Sequence, residues 1–375
     1  MEFSVSRSDL VRELGLTQGV VEKKTTIPIL SNILVETDGD QVWLTATDLE
    51  LGIRCACPAR IKKQGSGTIP ARRLLDYVRL LPDAEVQVKL AENQWASFVC
   101  GRSRTRIAGM SRESFPELPE MPEPLAELPL SVLSQMIAST IFSISAEESR
   151  FTLNGALLML KETGLVMVAT DGHRLAMIEK SLPLPGLSGS YRALLPRKAM
   201  NEIQKLANDD PAKTIQFSGN DNHLFFRIDK RLLLSRKLSG NFPDYERVLP
   251  KEHPHLILLE RDDLKAAIER VAQFADERSK AIRLRLGNNE LKIHSSISET
   301  GESEESIPVD YNGAEFEIGF NAQYLIDFLR SVDQGSVEFL FKDANSAGEL
   351  RPHAASEDTS APDTVYRYVV MPMRI

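Results

Sequence analysis

The sequence predicts an α+β protein built from three similar copies of one module, and three observations carry that expectation. Short motifs recur at intervals of about 125 residues: Thr47-Asp48 returns as Thr170-Asp171, Pro70-Ala71-Arg72 as Pro196-Arg197-Lys198, and Phe115-Pro116 as Phe242-Pro243. Within each copy the hydrophobic period switches between that of a helix and that of a strand. Proline-rich segments separate the copies. A chain of 375 residues is too long for one comfortable core, and three domains fall at the usual domain size, with expected bounds 1–126, 127–254 and 255–375.

The first copy should open with a helix near Arg7–Leu16, then strands at Asn32–Thr37 and Gln41–Asp48 joined by the turn signal Asp38-Gly39. Pro70-Ala71-Arg72 opens a second helix, amphipathic because Leu74, Leu75, Val78 and Leu81 recur at helical spacing. Phe115–Pro124 reads as a rigid linker, since proline lacks the amide donor and restricts its predecessor. The second copy repeats the order, with a helix near Leu130–Ile141, strands at Leu153–Leu160 and Gly164–Asp171, and a helix after Pro196 carrying Met200, Ile203 and Leu206. Its β-prone run Leu224–Ile228 follows. The third copy is fainter: a helix at Asp262–Ala272, strands at Ala281–Leu286 and Glu290–Ser295, a helix after Gly319-Phe320-Asn321, and the strand Val337–Phe341. Phe242-Pro243-Asp244 and Pro250–Pro254 precede it, and Ala354–Asp363 reads as an exposed loop. Two helices and about eight strands per copy suit helices covering one face of an antiparallel sheet.

Composition is that of an ordinary soluble protein, 42% hydrophobic and 26% charged. No apolar run is long enough for a membrane span, and Met1-Glu2-Phe3-Ser4 does not begin a signal peptide, so a cytoplasmic location is expected. Cys55, Cys57 and Cys100 lie in apolar runs and suit reduced, buried thiols; no metal or cofactor is expected. A net charge of −8 argues against a wholly basic nucleic-acid binder, but the charges are unevenly placed. Arg102, Arg104, Arg106 and Arg112 crowd the first copy, and Glu299, Glu302, Glu304 and Glu305 the third. Lys198, Asn201 and Lys205 share one helix face, as do Arg72 and Arg79 with Arg73 nearby. With Asp76 and Glu202 among them, these faces read either as solvated surfaces of mixed charge or as a basic lining that follows a polyanion.

Thr170-Asp171-Gly172-His173-Arg174 is the densest cluster of reactive side chains, and an enzyme centred on Asp171 and His173 is one reading. Thr47-Asp48 holds the same place without a histidine, so the pair also reads as a turn device. No phosphate-binding glycine loop, metal carboxylate pair or nucleophile with its base stands elsewhere. The chain ends on Tyr368–Ile375, where Pro372 is expected to stop strand pairing and leave Met371, Met373 and Ile375 as a flexible apolar rim for peptides. An oligomeric scaffold without DNA is a further reading.

The motifs Thr26–Asn32, Thr45–Glu50, Leu153-Asn154-Gly155, Ala169–Ala176, Phe242–Tyr245, Ile318–Asn321 and Tyr368–Arg374, in this order, resemble the bacterial beta sliding clamp family over essentially the whole length. These are processivity subunits of the replicative polymerase. The resemblance implies a head-to-tail homodimer closing into a six-domain ring, with helices inside, antiparallel sheets outside and duplex DNA threaded through without sequence readout. It implies a non-catalytic subunit of the DNA polymerase III holoenzyme, a complex classed as a DNA-directed DNA polymerase, a nucleotidyltransferase. DNA-facing residues are then Lys24, Arg72, Arg150, Phe151 and Arg197, joined by Lys198 from its helix face; Thr152 stands where relatives can carry a second aromatic. A partner-peptide pocket is implied at Leu153, Thr170, Gly172, His173, Arg174, Leu175, Pro243, Arg247, Val248, Asn321, Tyr324, Val369, Val370, Met371, Pro372, Met373 and Arg374. Its ligands would be short motifs, with a Gln, a Leu and a terminal aromatic, from the polymerase catalytic subunit, the clamp loader, other polymerases and repair proteins. Ser279 replaces a bulky rim residue of some relatives, and the long Asn345–Asp363 connection loosens the match near Asn345–Ala347. The dimer interface is expected to join Arg104 and Arg106 to Glu302, Glu304 and Glu305, with Phe274 as its apolar member.

Overall fold

The structure is a computed structural model and describes all residues except 23–25, 210–212, 298–300, 334, 354–362 and 375. The first copy comprises β1 (Glu2–Ser6), α1 (Arg7–Thr17), β2 (Asn32–Asp38), β3 (Gln41–Thr47), β4 (Leu51–Lys63), β5 (Ser66–Pro70), α2 (Ala71–Arg79), β6 (Glu85–Leu90), β7 (Trp95–Cys100) and β8 (Ser103–Ala108). The second repeats that order: β9 (Ala126–Pro129), α3 (Leu130–Ala138), β10 (Gly155–Lys161), β11 (Gly164–Thr170), β12 (Arg174–Ser181), β13 (Ser190–Pro196), α4 (Arg197–Asp209), β14 (Thr214–Gly219), β15 (His223–Ile228) and β16 (Arg231–Arg236). The third does so again: β17 (His255–Glu260), α5 (Arg261–Val271), β18 (Ala281–Gly287), β19 (Glu290–Ile297), β20 (Gly301–Pro308), β21 (Phe316–Asn321), α6 (Ala322–Ser331), β22 (Ser336–Phe341), β23 (Gly348–Pro352) and β24 (Thr364–Val370). The expected helices and strands are present with small shifts. Leu153 lies in a 3-10 turn rather than opening β10, and α3 stops at Ala138 before a second 3-10 turn at Ile141–Ser143.

The chain forms two compact units, Met1–Ser134 with Lys198–Lys237, and Gln135–Arg197 with Leu238–Ile375. In the first, a 12-stranded sheet runs β8-β7-β6-β1-β4-β16-β15-β14-β9 with β2, β3 and β5 off that path. The long β4 makes this possible. Its start pairs with β16 and its end with β1, while Ile53, Cys55 and Cys57 turn inward beneath α1. All three cysteines are buried and unbridged, and burial pushes the Cys57 thiol up to about 12. In the second unit an 8-stranded sheet runs β13-β10-β11-β12-β24-β23-β22-β17, beside a 4-stranded sheet β20-β19-β18-β21.

One joining rule recurs. The last strand of the second copy, β16, pairs with β4 of the first, and the last strand of the third, β24, pairs with β12 of the second. Pro372 does not end pairing as expected. β24 stops at Val370, but the Met373 amide then donates to the Gly319 carbonyl of β21 at 2.8 Å, because proline lacks only its own donor and leaves the next amide free. Ile375 lies outside the described residues.

Candidate functional site

The two Thr-Asp pairs build the same turn. Thr47 and Thr170 donate their hydroxyls to the carbonyls of Leu51 and Arg174 at 2.8 and 2.7 Å. Asp48 Oδ1 accepts from the amides of Glu50 and Leu51, and Asp171 Oδ1 from those of His173 and Arg174. Asp171 Oδ2 takes Arg174 Nε at 3.0 Å, so the carboxylate is committed to the turn, and the acid–base reading of Asp171 and His173 loses its support. The φ of Gly172 is +90°, which glycine adopts without strain, and a Cβ there would lie 2.9 Å from Arg150 Nη1.

Arg174 ties this turn to the rest of the second unit. Nη1 donates to Asp327 of α6 at 2.6 Å, Nη2 to the Phe142 carbonyl at 2.5 Å, and the guanidinium lies 4.2 Å over the Tyr324 ring. Burial opposes its charge, and Tyr368, Asp327 and Asp171 outweigh that, so its pKa is raised. Burial, then the charge of Arg174, lowers that of Arg197, whose Nη2 donates to the Ile144 carbonyl at 2.6 Å.

Beside the turn lies a buried apolar cluster. Leu157, Val166, Val168, Leu175, Met177, Leu194, Phe242, Tyr245 and Val369 form one cluster, with Leu153, Met159, Leu238, Leu249 and Ala347 packed against it. Of the expected pocket residues, Leu153, Leu175 and Val369 belong to this cluster, while Val248 (44% exposed) and Met371 (45% exposed) stand proud of the surface. The Met371 amide donates to the His173 carbonyl at 2.9 Å, which fixes the C-terminal segment to the turn; the His173 side chain is exposed. Pro243 is exposed, and Arg247 pairs with Asp244 at 2.8 Å. Asn321 caps α6 by accepting from the Gln323 amide and donates to the Ser279 carbonyl. Thr170 and Val370 are buried, and Tyr324 is half-buried behind Arg174. Sequence reasoning missed Leu157, Val166, Val168, Met177 and Leu194, which strand alternation places on the face of Leu175. Ala347, in the Asn345–Ala347 stretch, packs against the same cluster.

The expected DNA-facing cations differ in freedom. Arg72 is 78% exposed and only 3.8 Å from Asp76, and Arg73 and Arg79 are exposed beside it. Lys198 instead donates to buried Asp48, and Lys205 to buried Glu202. Arg150 holds the Asp171–Arg174 turn, through Nη1 to the Asp171 carbonyl at 2.8 Å, and pairs with Glu147. Phe151 is 70% exposed, and Lys24 lies outside the described residues.

At the expected interface, β8 and β20 each lie at a sheet edge. Arg104, Arg106, Glu302 and Glu304 are exposed, and Phe274 lies against Gly301. Glu305 differs from its neighbours in facing. Strand alternation turns it to the other face, where it accepts both Nε and Nη2 of Arg270 in α5. Glu299 lies outside the described residues.

Family models of the DNA polymerase III beta subunit match in series, the N-terminal domain over residues 1–119, the central domain over 127–244 and the C-terminal domain over 246–374. The chain is 36% identical to the beta sliding clamp of Pseudomonas putida over 381 residues, with both chains fully covered. It is also similar to the crystal structure of the Pseudomonas aeruginosa sliding clamp bound to griselimycin (TM-score 0.92, 35% identity, 100% of both chains). The Bacillus subtilis clamp structure gives a TM-score of 0.92 at 25% identity, covering 100% of this chain and 99% of that one. With its three copies, its Thr-Asp turns and full-length identity to these proteins, the chain belongs to the family of the DNA polymerase III beta subunit, the bacterial beta sliding clamps.

Proposed function

We propose that this chain closes around duplex DNA as a head-to-tail homodimer and tethers the replicative polymerase through the groove of its second unit. The processivity role itself follows from the family. The joining rule carries the dimer. Inside the chain the last strand of one copy pairs with the fourth strand of the copy before it, and β8, a last strand, and β20, a fourth strand, are the equivalents that remain edges. Arg54 faces Leu232 and Gly52 faces Leu234 where β4 meets β16. Carried to β20 and β8 by their own hairpin registers, the same pairing sets Arg104 against Glu304 and Arg106 against Glu302, with Phe274 beside the seam. Two such seams cover both edges and close a ring of six domains, bounded in each chain at 126 and 254.

Exposed arginines on α2 suit weak, sequence-independent contacts to phosphates, which let a ring slide. The groove suits a short extended peptide carrying a Leu and a Phe, whose burial contributes about 1.5–3 kcal/mol each before ordering costs. Such affinity lets a polymerase, clamp loader and repair proteins exchange on one cytoplasmic ring. The test is topological. Protein loaded onto nicked circular plasmid should stay bound through gel filtration and fall off once the plasmid is linearised; retention on linear DNA would refute encirclement.

A further inference from the structure

Two seams of the same construction lie within the chain, β16 on β4 and β24 on β12, and their helix-side corners are filled differently. In the first unit the corner holds an ion network. Glu13 of α1 accepts from Nε and Nη2 of Arg231 at 2.9 and 2.6 Å, and Arg231 Nη1 donates to Asp209 at the end of α4. Arg12 adds its Nε to Glu13 at 3.0 Å. In the second unit strand register puts Tyr366 where Arg231 stands, and helix position puts Gln135 and Met136 where Arg12 and Glu13 stand. No equivalent network can form. A cavity of about 410 Å³ remains, walled by Gln135, Ile178, Val332, Asp333, Val365 and Tyr366.

The cavity has an apolar body and, at its exposed rim, one acid, Asp333, with no ion pair among the described residues. The Tyr366 hydroxyl donates to the Ser139 carbonyl at 2.8 Å and lies 2.8 Å from Ser331 Oγ, so its ring forms a wall and not a plug. Arg351 and His353 also line the cavity, but Arg351 Nε is held by Glu349 at 2.6 Å and His353 Nδ1 lies 2.9 Å from Glu338. Among the described residues, neither the Asp333 carboxylate nor the Gln135 amide has a hydrogen-bond partner, whereas Asp209, the last residue of the second helix in its own copy, has Arg231.

We propose that this cavity binds a small organic cation, an amidinium, guanidinium or ammonium group on a compact apolar body. Asp333 and Gln135 seat the charged group, and Ile178, Val332, Val365 and the Tyr366 ring enclose the body. The ligand brings to the second seam the cation that Arg231 supplies in the first. The volume is within the range of small-molecule sites, and an aromatic wall favours a cation. The site stands independently of the clamp assignment.

Benzamidine is a suitable probe, with benzamide as its neutral isostere. Calorimetry on the full-length protein should find one benzamidine site per chain, at least about tenfold tighter than benzamide, as expected for a charge-assisted hydrogen bond. Asp333→Asn, at an exposed position outside helix and strand, should erase that preference and leave the fold intact. Tyr366→Arg with Met136→Glu, which rebuilds the first unit's network, should abolish binding. Equal binding of benzamidine and benzamide, an unchanged preference in Asp333→Asn, or displacement of benzamidine by a groove peptide would each overturn the assignment.

Discussion

Arg174 shows how one residue can hold a turn in place from beneath it, and with it the proposed binding surface. Its side chain is only 10% exposed, and its donors hold Asp171, Asp327 and the Phe142 carbonyl, so it fixes where the turn and Leu175 stand. Arg174→Ala should cost about 3 kcal/mol in denaturant unfolding, because it leaves two carboxylates without their cation. Binding of a Gln-Leu-Phe type peptide, followed by fluorescence anisotropy, should weaken at least about tenfold. Arg174→Lys should not rescue it, since an ammonium cannot serve three acceptors at the fixed angles of a guanidinium. Wild-type peptide affinity in the alanine variant would show that the turn holds itself. The Thr-Asp turn was legible in the sequence, since its first-copy counterpart lacks the histidine that would suggest catalysis. The role of Arg174 was not, because Asp327 lies 153 residues away and the third acceptor is a backbone carbonyl with no residue signature.

At the scale of elements, strands and helices were legible wherever apolar spacing persisted, and misread where a single residue was given too much authority. Pro372 is the example. The strand ends, but the segment finds a second partner through the Met371 and Met373 amides. Deleting Met371–Ile375 should therefore abolish peptide binding and also lower stability by about 2 kcal/mol, roughly two backbone hydrogen bonds. A truncated protein that bound the peptide normally would remove the C-terminal segment from the groove. The edge strands carry their own test. Arg104→Glu and Glu304→Arg should each shift sedimentation toward monomer, and the two together should restore the dimer, because the derived register sets those positions opposite one another. Failure of the double variant to recover would place the seam in another register.

For the whole molecule, the threefold repetition was plain in the sequence, but the division into two compact units was not. Sheet pairing across copy boundaries, β4 with β16 and β12 with β24, divides the strands of the middle copy between the two units, and pairing between distant edges leaves no local pattern. Charge placement was half legible. Sequence gives the basic faces of α2 and α4, whereas only the structure reveals that Lys198 and Lys205 are held by Asp48 and Glu202. Arg72→Ala with Arg73→Ala should thus flatten the salt dependence of duplex binding by about two units, and Lys198→Ala with Lys205→Ala by clearly less. Equal effects from the two pairs would mean that the ion pairs open on DNA.

The opposite charges on β8 and β20 have one more consequence. Two β8 edges brought together would oppose arginine to arginine, and two β20 edges glutamate to glutamate, so like refuses like and assembly acquires a direction, as in a filament. Such polar ends do not count to two. They would accept a third chain or a tenth as readily, so a closed ring requires each seam to bend enough to bring the last end back to the first before another chain arrives.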